Sequence, residues 1–224
     1  MNCSRKSLLH VDGDIQWGRS VRQMVQSWKE VRHLGTATSA RAGIALCRAH
    51  QPNLVLLDLT LPDADGFDLA LALANLPRPP RVLLLTPRSD ALTLFRAGCA
   101  SISGMVWKRG SVRETLRFAV REVLAGRRYF PDDIREAMRA TRTDPAAFFK
   151  ILSCRELALL PLLSHGLTDE QIGERNGSCP ATVKSHRQHI MTKLGLHRTV
   201  DLIQWATEKG FSTCSTAEPA LTVS

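Results

Sequence analysis

Short apolar runs alternate with stretches of helical periodicity through the first half of the chain. Five runs have the length and composition of buried strands: Ser7–Val11, Val31–Ala37, Leu54–Leu57, Val82–Leu85 and Ile102–Trp107. The residues between them repeat apolar side chains at intervals of three and four, which is typical of helices that pack on one face. This order predicts an α/β fold, a doubly wound five-stranded parallel sheet with helices on both faces.

The second half of the chain shows helical patterns only. The predicted helices are Ser153–Leu163, Thr168–Arg175, Pro180–Leu194 and Thr199–Lys209. Two of them begin with a capping box in sequence, Ser153-x-x-Glu156 and Thr168-x-x-Gln171. The pattern predicts a small all-α domain of four helices.

Helix start and stop signals between the two patterns define the domain boundaries. Ser111 is a candidate cap for a helix that ends at Gly126, and Pro131 opens a helix that reaches Ala140. Thr141–Ala147 is polar enough for a hinge. We predict an α/β domain over residues 1–126, a helical linker over 127–149, a helical domain over 150–210 and a disordered tail over 211–224.

Composition adds little to this division. The chain has 224 residues, of which 44% are hydrophobic and 23% charged, values typical of globular proteins. The net charge of +9 favours a polyanionic partner, but most of the excess lies outside the helical domain, so charge is only a supporting argument. No apolar run is long enough to span a bilayer and no signal peptide is recognisable, which predicts a cytoplasmic protein. The six cysteines are scattered, which predicts reduced thiols.

Carboxylates, a hydroxyl and an amine follow the predicted strands. Asp12 and Asp14 come after the first strand, Asp58 after the third, Thr86 after the fourth and Lys108 after the fifth. The carboxyl ends of parallel strands form the ligand-binding edge of such a sheet. Carboxylates there suit Mg²⁺ and a phosphoryl group, and a carboxylate can also be a nucleophile.

These residues resemble the receiver domains of response regulators. The segment Asp58-Leu-Thr-Leu-Pro-Asp-Ala-Asp-Gly66 is similar to the family motif, and the resemblance covers about residues 7–125. It implies a flavodoxin-like fold, Asp58 as the phosphoacceptor, Thr86 and Lys108 as the phosphoryl-switch residues, and a sensor histidine kinase as partner. The metal ligands would be Asp12, Asp14 and Asp58.

Two positions depart from the receiver pattern. The family ends its first strand with two adjacent acidic residues, whereas this chain has Gly13 at the second position, so we expect weak Mg²⁺ binding. Met105 stands where the family has an aromatic residue that rotates in the switch. The alternative interpretation is that the domain has lost phosphorylation and that Asp58 is only a solvated carboxylate at the end of a strand.

One helix of the second half has the two faces expected of a DNA reader. Its apolar stripe consists of Val183, Ile190 and Leu194. We predict that the opposite face contacts DNA through Lys184, Ser185, Arg187 and Gln188, and that Thr182 binds a phosphate near the helix N-terminus.

The order of motifs in this half resembles the LuxR-type helix-turn-helix. The matching segments are Leu152–Glu156, Gly166–Thr168, Thr182–His186 and Lys193–Gly195. With the receiver, the chain resembles the NarL/FixJ family of response regulators, which implies promoter DNA, a homodimer in the active state and contact with RNA polymerase. Cys179 departs from the pattern, because it replaces the usual capping serine and is a poor N-cap.

Two other functions are consistent with the same residues. An atypical receiver would keep the DNA binding and act by dimerisation or by sensing another ligand, independently of phosphorylation. A flavodoxin-like enzyme with an accessory helical domain is the other alternative, although no catalytic triad, glycine-rich phosphate loop or metal-hydrolase spacing is present. We therefore expect no independent enzymatic activity.

Overall fold

The computed structural model describes residues 5–99, 102–110, 112–143, 147–176 and 178–211. Contacts between residues divide this part of the chain into two compact units. The first contains residues 5–89 and 96–137, and the second contains residues 90–95 and 138–211.

The first unit is built on a parallel sheet with strand order β2-β1-β3-β4-β5. The strands are β1 (Lys6–Val11), β2 (Val31–Ala37), β3 (Leu54–Leu57), β4 (Arg81–Thr86) and β5 (Gly104–Trp107). Every residue of β3 and β5 is buried, since helices cover both faces of the sheet. The α/β fold and its five parallel strands are confirmed.

Helices connect the strands as the apolar spacing predicts. They are α1 (Ile15–Gln26), α2 (Ala40–His50), α3 (Gly66–Ala74), α4 (Ala91–Cys99) and α5 (Val112–Leu124). Side chains of Asp14, Ser39 and Asp65 cap the first three by accepting backbone N–H groups of the first turn. For α4 the sequence pattern predicted a helix after the fourth strand without assigning its residues, and the proposed cap Ser111 lies outside the described residues.

The second unit is helical. Its helices are α6 (Asp132–Thr143), which begins in the first unit, α7 (Phe148–Ile151), α8 (Cys154–Ser164), α9 (Asp169–Asn176), α10 (Pro180–Leu194) and α11 (Thr199–Glu208). The core contains Leu160, Ile172, Val183, Ile190 and Leu202. Both capping boxes form: Ser153 with Glu156, and Thr168 with Gln171.

Two boundaries differ from the prediction. The proposed hinge at Thr141–Ala147 begins with helical residues, because α6 extends to Thr143, and residues 144–146 lie outside the described part of the chain. Phe211, predicted as the first residue of a disordered tail, is 1% exposed and packs in the core of the second unit. Residues 212–224 lie outside the described residues.

Within the described ranges, no helix combines the length and the apolar character that crossing a bilayer requires.

Candidate functional site

Four parallel strands bring the predicted site residues of the first unit together. Backbone N–H groups just beyond β1, β3 and β5 each donate to a neighbouring strand: Asp12 to Ala37, Asp58 to Val11, and Lys108 to Thr86, all at 2.9 Å between nitrogen and oxygen. These bonds fix the register at the carboxyl edge of the sheet. The side chains that follow the strands therefore lie close together, as the sequence predicts.

Lys108 lies between two carboxylates. Its Nζ is 2.7 Å from Asp58 Oδ2 and 2.8 Å from Asp12 Oδ2. All three residues are buried, with exposed fractions of 8% for Lys108, 3% for Asp58 and 0% for Asp12. Removing charges from water is costly unless they are paired, so Lys108 compensates the two acids in the interior.

His10 adds a second partner for Asp12. Its Nε2 lies 3.3 Å from Asp12 Oδ2, and both side chains are fully buried. Burial alone would raise the pKa of the Asp12 carboxyl, but the interactions with His10 and Lys108 outweigh it and lower that pKa. Burial lowers the pKa of Lys108, and its bonds to Asp12 and Asp58 outweigh this and raise it.

Asp58 faces an open cleft of about 470 Å³. The cleft is also lined by Gly13, Asp14, Trp17 and Lys108. Asp58 Oδ1 accepts the backbone N–H of Leu59 at 2.7 Å, which leaves the carboxylate fixed in orientation beside the cleft. The arrangement can therefore present a carboxylate oxygen to a small anionic group next to a buried ammonium.

One of the predicted metal ligands, Asp14, is already engaged as a helix cap. The carboxylate of Asp14 caps α1, where its Oδ1 accepts the N–H groups of Gln16 and Trp17 at 2.8 and 3.2 Å. Among the described residues, no three acidic, histidine or cysteine side chains form a cluster that could hold a metal ion. Asp12, Asp14 and Asp58 as one metal site therefore remain a prediction, in which Asp14 would have to leave its cap position and Gly13 supplies no ligand.

Thr86 lies at the end of β4 and is fully buried. Its Oγ1 accepts the backbone N–H of Arg88 at 3.3 Å. The hydroxyl of the predicted switch residue is thus engaged with its own loop.

In the second unit, α10 has one buried and one exposed face. Val183 and Ile190 are 1% and 0% exposed and pack in the core with Ile172 of α9. Four of the predicted DNA-contacting residues are exposed: Thr182, Lys184, Ser185 and Gln188. Their positions agree with a face available to a partner, and no carboxylate in the described part of the chain forms an ion pair with Lys184.

Arg187 does not lie on that face. Its guanidinium binds Asp169 through two hydrogen bonds of 3.0 and 2.7 Å, and Nη1 donates to Thr199 Oγ1 at 2.8 Å. The prediction that Arg187 contacts DNA stays a prediction, and it would require the guanidinium to leave these partners. Arg187 is one helical turn from Val183, so its spacing already placed it near the buried stripe.

The N-terminus of α10 lacks a side-chain cap. Cys179 occupies the cap position and makes no capping hydrogen bond, as its chemistry predicts. Its Sγ lies 3.3 Å from Thr182 Oγ1. Near the other end of the helix, Lys193 Nζ binds Glu156 Oε2 at 2.7 Å, which joins α10 to the capping box of α8.

Sequence reasoning missed two supporting residues of these sites. His10 alternates onto the same side of β1 as Asp12, so a polar residue in a buried run was the available signal. Asp169 begins α9 and pairs with Arg187, a contact between residues far apart in sequence that no local pattern encodes.

Comparison with known proteins adds independent information on both units. Residues 8–120 match the family model described as the response regulator receiver domain, and residues 150–206 match bacterial regulatory proteins of the luxR family. The Fimbriae Z protein of Salmonella typhimurium is 33% identical over 168 residues, which cover 75% of this chain and 80% of that protein.

Two further proteins match along nearly the whole chain. Response regulator UvrY of Escherichia coli is 25% identical over 213 residues, covering 94% of this chain and 97% of UvrY. RcsB from Salmonella enterica serovar Typhimurium, solved bound to the promoter rprA with the phosphomimetic BeF3⁻, has a TM-score of 0.68 at 19% identity. That match covers 91% of this chain and 99% of RcsB, and it shows a shared fold.

Proposed function

This chain belongs to the response regulators that join a receiver domain to a LuxR-type DNA-binding domain, and on this premise we propose that phosphorylation of Asp58 controls promoter binding by α10. The observation that carries the proposal is the contact of 2.7 Å between Asp58 and Lys108, which line the same cleft. The expectation that the chain is a response regulator of the NarL/FixJ type is confirmed.

The proposed phosphoryl donor is a sensor histidine kinase. A carboxylate oxygen of Asp58 attacks phosphorus, the bond from phosphorus to the donor nitrogen breaks, and an acyl phosphate forms on Asp58. Lys108 supplies a positive charge beside the added oxygens, and the Thr86 hydroxyl donates to one of them after it leaves Arg88. Asp58 is the phosphoacceptor in this proposal, and Thr86 and Lys108 are the phosphoryl-switch residues.

Receiver domains generally bind Mg²⁺ for phosphorylation. In this chain we propose weak binding, because Gly13 replaces an acidic ligand and both remaining carboxylates, Asp12 and Asp58, already contact Lys108. A Gly13→Asp variant should bind Mg²⁺ more tightly in a calorimetric titration. A Cβ at position 13 would lie 3.2 Å from the Thr60 carbonyl oxygen, which is a tight contact, so the backbone at Thr60 must shift by a few tenths of an ångström to admit the side chain.

The proposed DNA surface is the exposed face of α10. Lys184 and Gln188 reach base edges in the major groove, Ser185 adds a hydrogen bond, and Thr182 binds a backbone phosphate near the helix N-terminus. RcsB, which shares the fold, was solved bound to promoter DNA. A single reading helix contacts few base pairs, so we propose a homodimer on two half-sites.

Further assignments follow from promoter binding. The proposed location is the cytoplasm, where a bacterial regulator meets its promoter, and RNA polymerase is a proposed partner there.

The family consists of transcription regulators rather than enzymes, and we propose no separate catalytic activity. We keep residues 1–126, 127–149 and 150–210 as proposed receiver, linker and DNA-binding domain.

A second candidate is a phosphorylation-independent regulator whose receiver serves dimerisation or senses another ligand. Gly13 favours it, and so does the internal compensation of Asp12 and Asp58 by Lys108. The two candidates separate in one experiment on purified protein with acetyl phosphate and Mg²⁺. Phosphorylation adds the mass of one phosphoryl group to the wild type and none to Asp58→Asn, and it tightens promoter binding.

The opposite result selects the second candidate. If the wild type gains no mass, and Asp58→Asn leaves promoter output unchanged in cells, the phosphorylation proposal is rejected while DNA binding by α10 remains to be tested separately.

A further inference from the structure

We propose that Asp65 and Arg88 form a latch that holds Thr86 in its resting position and so sets how readily the receiver domain switches. This inference rests on the proposed function, because it concerns the hydroxyl that would bind a phosphoryl group on Asp58. Asp65 and Arg88 act through Thr86, and both are therefore positioning residues.

Asp65 is a buried carboxylate with a cationic partner from a different segment. It is 2% exposed, and its Oδ2 lies 3.2 Å from Nη1 of Arg88, which is 9% exposed. Ion pairs at this depth are poorly screened by water and salt, so each partner restricts the position of the other. The pair connects the start of α3 to the loop between β4 and α4.

A second arginine reinforces the same carboxylate. Arg96 Nη1 lies 3.3 Å from Asp65 Oδ1, and the Arg96 guanidinium carbon lies 4.2 Å from the centre of the Phe67 ring. Asp65 also accepts the Phe67 N–H at 2.9 Å as the N-cap of α3. The carboxylate is therefore fixed from several directions, which makes it a rigid anchor for Arg88.

Arg88 links this anchor to the switch residue. Its side chain binds Asp65, while its backbone N–H donates to Thr86 Oγ1 at 3.3 Å. For the Thr86 hydroxyl to reach a phosphoryl group on Asp58, that bond must break and the segment after β4 must move. The ion pair opposes this movement, because the backbone of Arg88 cannot shift far while its guanidinium stays on Asp65.

Asp65→Asn removes the charge and keeps the fold. Asparagine is as good an N-cap as aspartate, so the start of α3 is preserved while the ion pair with Arg88 is lost. The chain offers a matched control in Asp68→Asn. Asp68 lies on the same helix with a side chain 53% exposed, and its Oδ1 lies 3.5 Å from Arg96 Nη2.

Hydrogen exchange in the full chain tests the latch without any phosphoryl donor. We expect the amides of Thr86 and of residues 88–90 to exchange about tenfold faster in Asp65→Asn than in the wild type, and at the wild-type rate in Asp68→Asn. Equal exchange in all three proteins would overturn the latch. A thermal melt of each variant shows that the fold is retained.

Phosphorylation rate gives a readout that a purely structural role would not raise. Asp65→Asn should gain a phosphoryl group from acetyl phosphate several-fold faster than the wild type, because its resting state restrains Thr86 less. Slower or unchanged labelling of Asp65→Asn, with normal labelling of the wild type, overturns the proposal. If the wild type is never labelled, the proposed function fails, and hydrogen exchange still decides the latch.

A double-mutant cycle assigns the effect to the pair. Arg88→Gln should accelerate exchange as Asp65→Asn does, and the double variant should show no larger effect than either single change. Additive effects would show that the two side chains act independently, which contradicts the latch.

Discussion

Lys108 in the first unit and Lys184 in the second carry the same charge in opposite settings. Lys108 is 8% exposed and lies 2.7 Å from Asp58 and 2.8 Å from Asp12. Lys184 is exposed on α10, and the described residues offer it no ion pair. The first lysine neutralises acids inside the fold, whereas the charge of the second remains available to a partner.

This difference separates residues that set stability from residues that set binding. A charge paired in the interior cannot be removed without leaving its partner unpaired, so its loss is measured in unfolding experiments. An exposed charge interacts mainly with water, so its loss changes binding and leaves unfolding nearly unaffected.

The largest effect is expected for Lys108→Met. The substitution leaves Asp12 and Asp58 buried without their cation, which should lower the free energy of unfolding by about 3–5 kcal/mol at neutral pH. Urea unfolding followed by fluorescence measures the loss. Arg109→Met is the control, since its side chain is 65% exposed and its loss should change stability little. Equal losses of unfolding free energy in the two variants would contradict the difference in stability expected between a buried and an exposed cation.

The pH dependence of this pair has a defined sign. The Asp12 pKa is lowered in the folded protein, so its contribution is present above the unfolded pKa and is lost as pH falls through the folded value. The Lys108 pKa is raised, so its contribution is lost only as pH rises through the folded value. The deficit of Lys108→Met should therefore shrink on acidification, because protonated carboxyls need no cation. A deficit that is constant with pH would contradict the ion-pair account.

A smaller effect is expected for Arg187→Met, which brings the comparison into a single helix. Arg187 binds Asp169 and Thr199, whereas Lys184, three residues earlier, is exposed. Losing the charged hydrogen bonds should lower the stability of the second unit by about 1–3 kcal/mol. Lys184→Met should change it by less than about 0.5 kcal/mol. Thermal unfolding of both variants tests this, and a larger loss in Lys184→Met would reverse the assigned faces of α10.

DNA binding should show the reverse order. Lys184→Ala should weaken promoter binding and change the salt dependence by about one unit of slope, as expected for the loss of one phosphate or base contact. Gln188→Ala should relax base preference, with little change in slope. Fluorescence anisotropy at several salt concentrations measures both. Equal affinity of the wild type and the two variants for the promoter would exclude this face as the reader.

The sequence predicted what depends on local pattern and on the rules of parallel sheets. All five strands follow from runs of apolar residues, and α10 begins and ends where its Pro180 and Leu194 predict. The meeting of Asp58 with Lys108 follows from the convergence of strand ends at one edge. These features need no knowledge of contacts between distant segments.

The remaining features depend on which of several available partners a polar side chain binds in the folded protein. Asp14 carries the carboxylate of a metal ligand, yet this carboxylate caps α1 by accepting the N–H groups of Gln16 and Trp17. Arg187 is of a residue type that often contacts bases in a groove, yet its guanidinium binds Asp169 of another helix. Position in sequence identified each candidate, and only the folded geometry showed its partner.

The smallest expected effects concern two cysteine thiols that form no disulfide, Cys179 and Cys47. The first is exposed and the second is buried, so the pair repeats the contrast between the two lysines. Cys179 is exposed at the cap position of α10 and makes no capping bond, so Cys179→Ser should raise the melting temperature by a few degrees, since serine accepts an N–H of the first turn. Cys47 is 2% exposed, and burial raises the pKa of its thiol to about 12. Cys47→Ser should lower the melting temperature, because it buries a hydroxyl without a partner. Calorimetry of both variants tests the opposite signs. A lower melting temperature in Cys179→Ser would mean that the contact of 3.3 Å from Cys179 to Thr182 matters more to α10 than the missing cap.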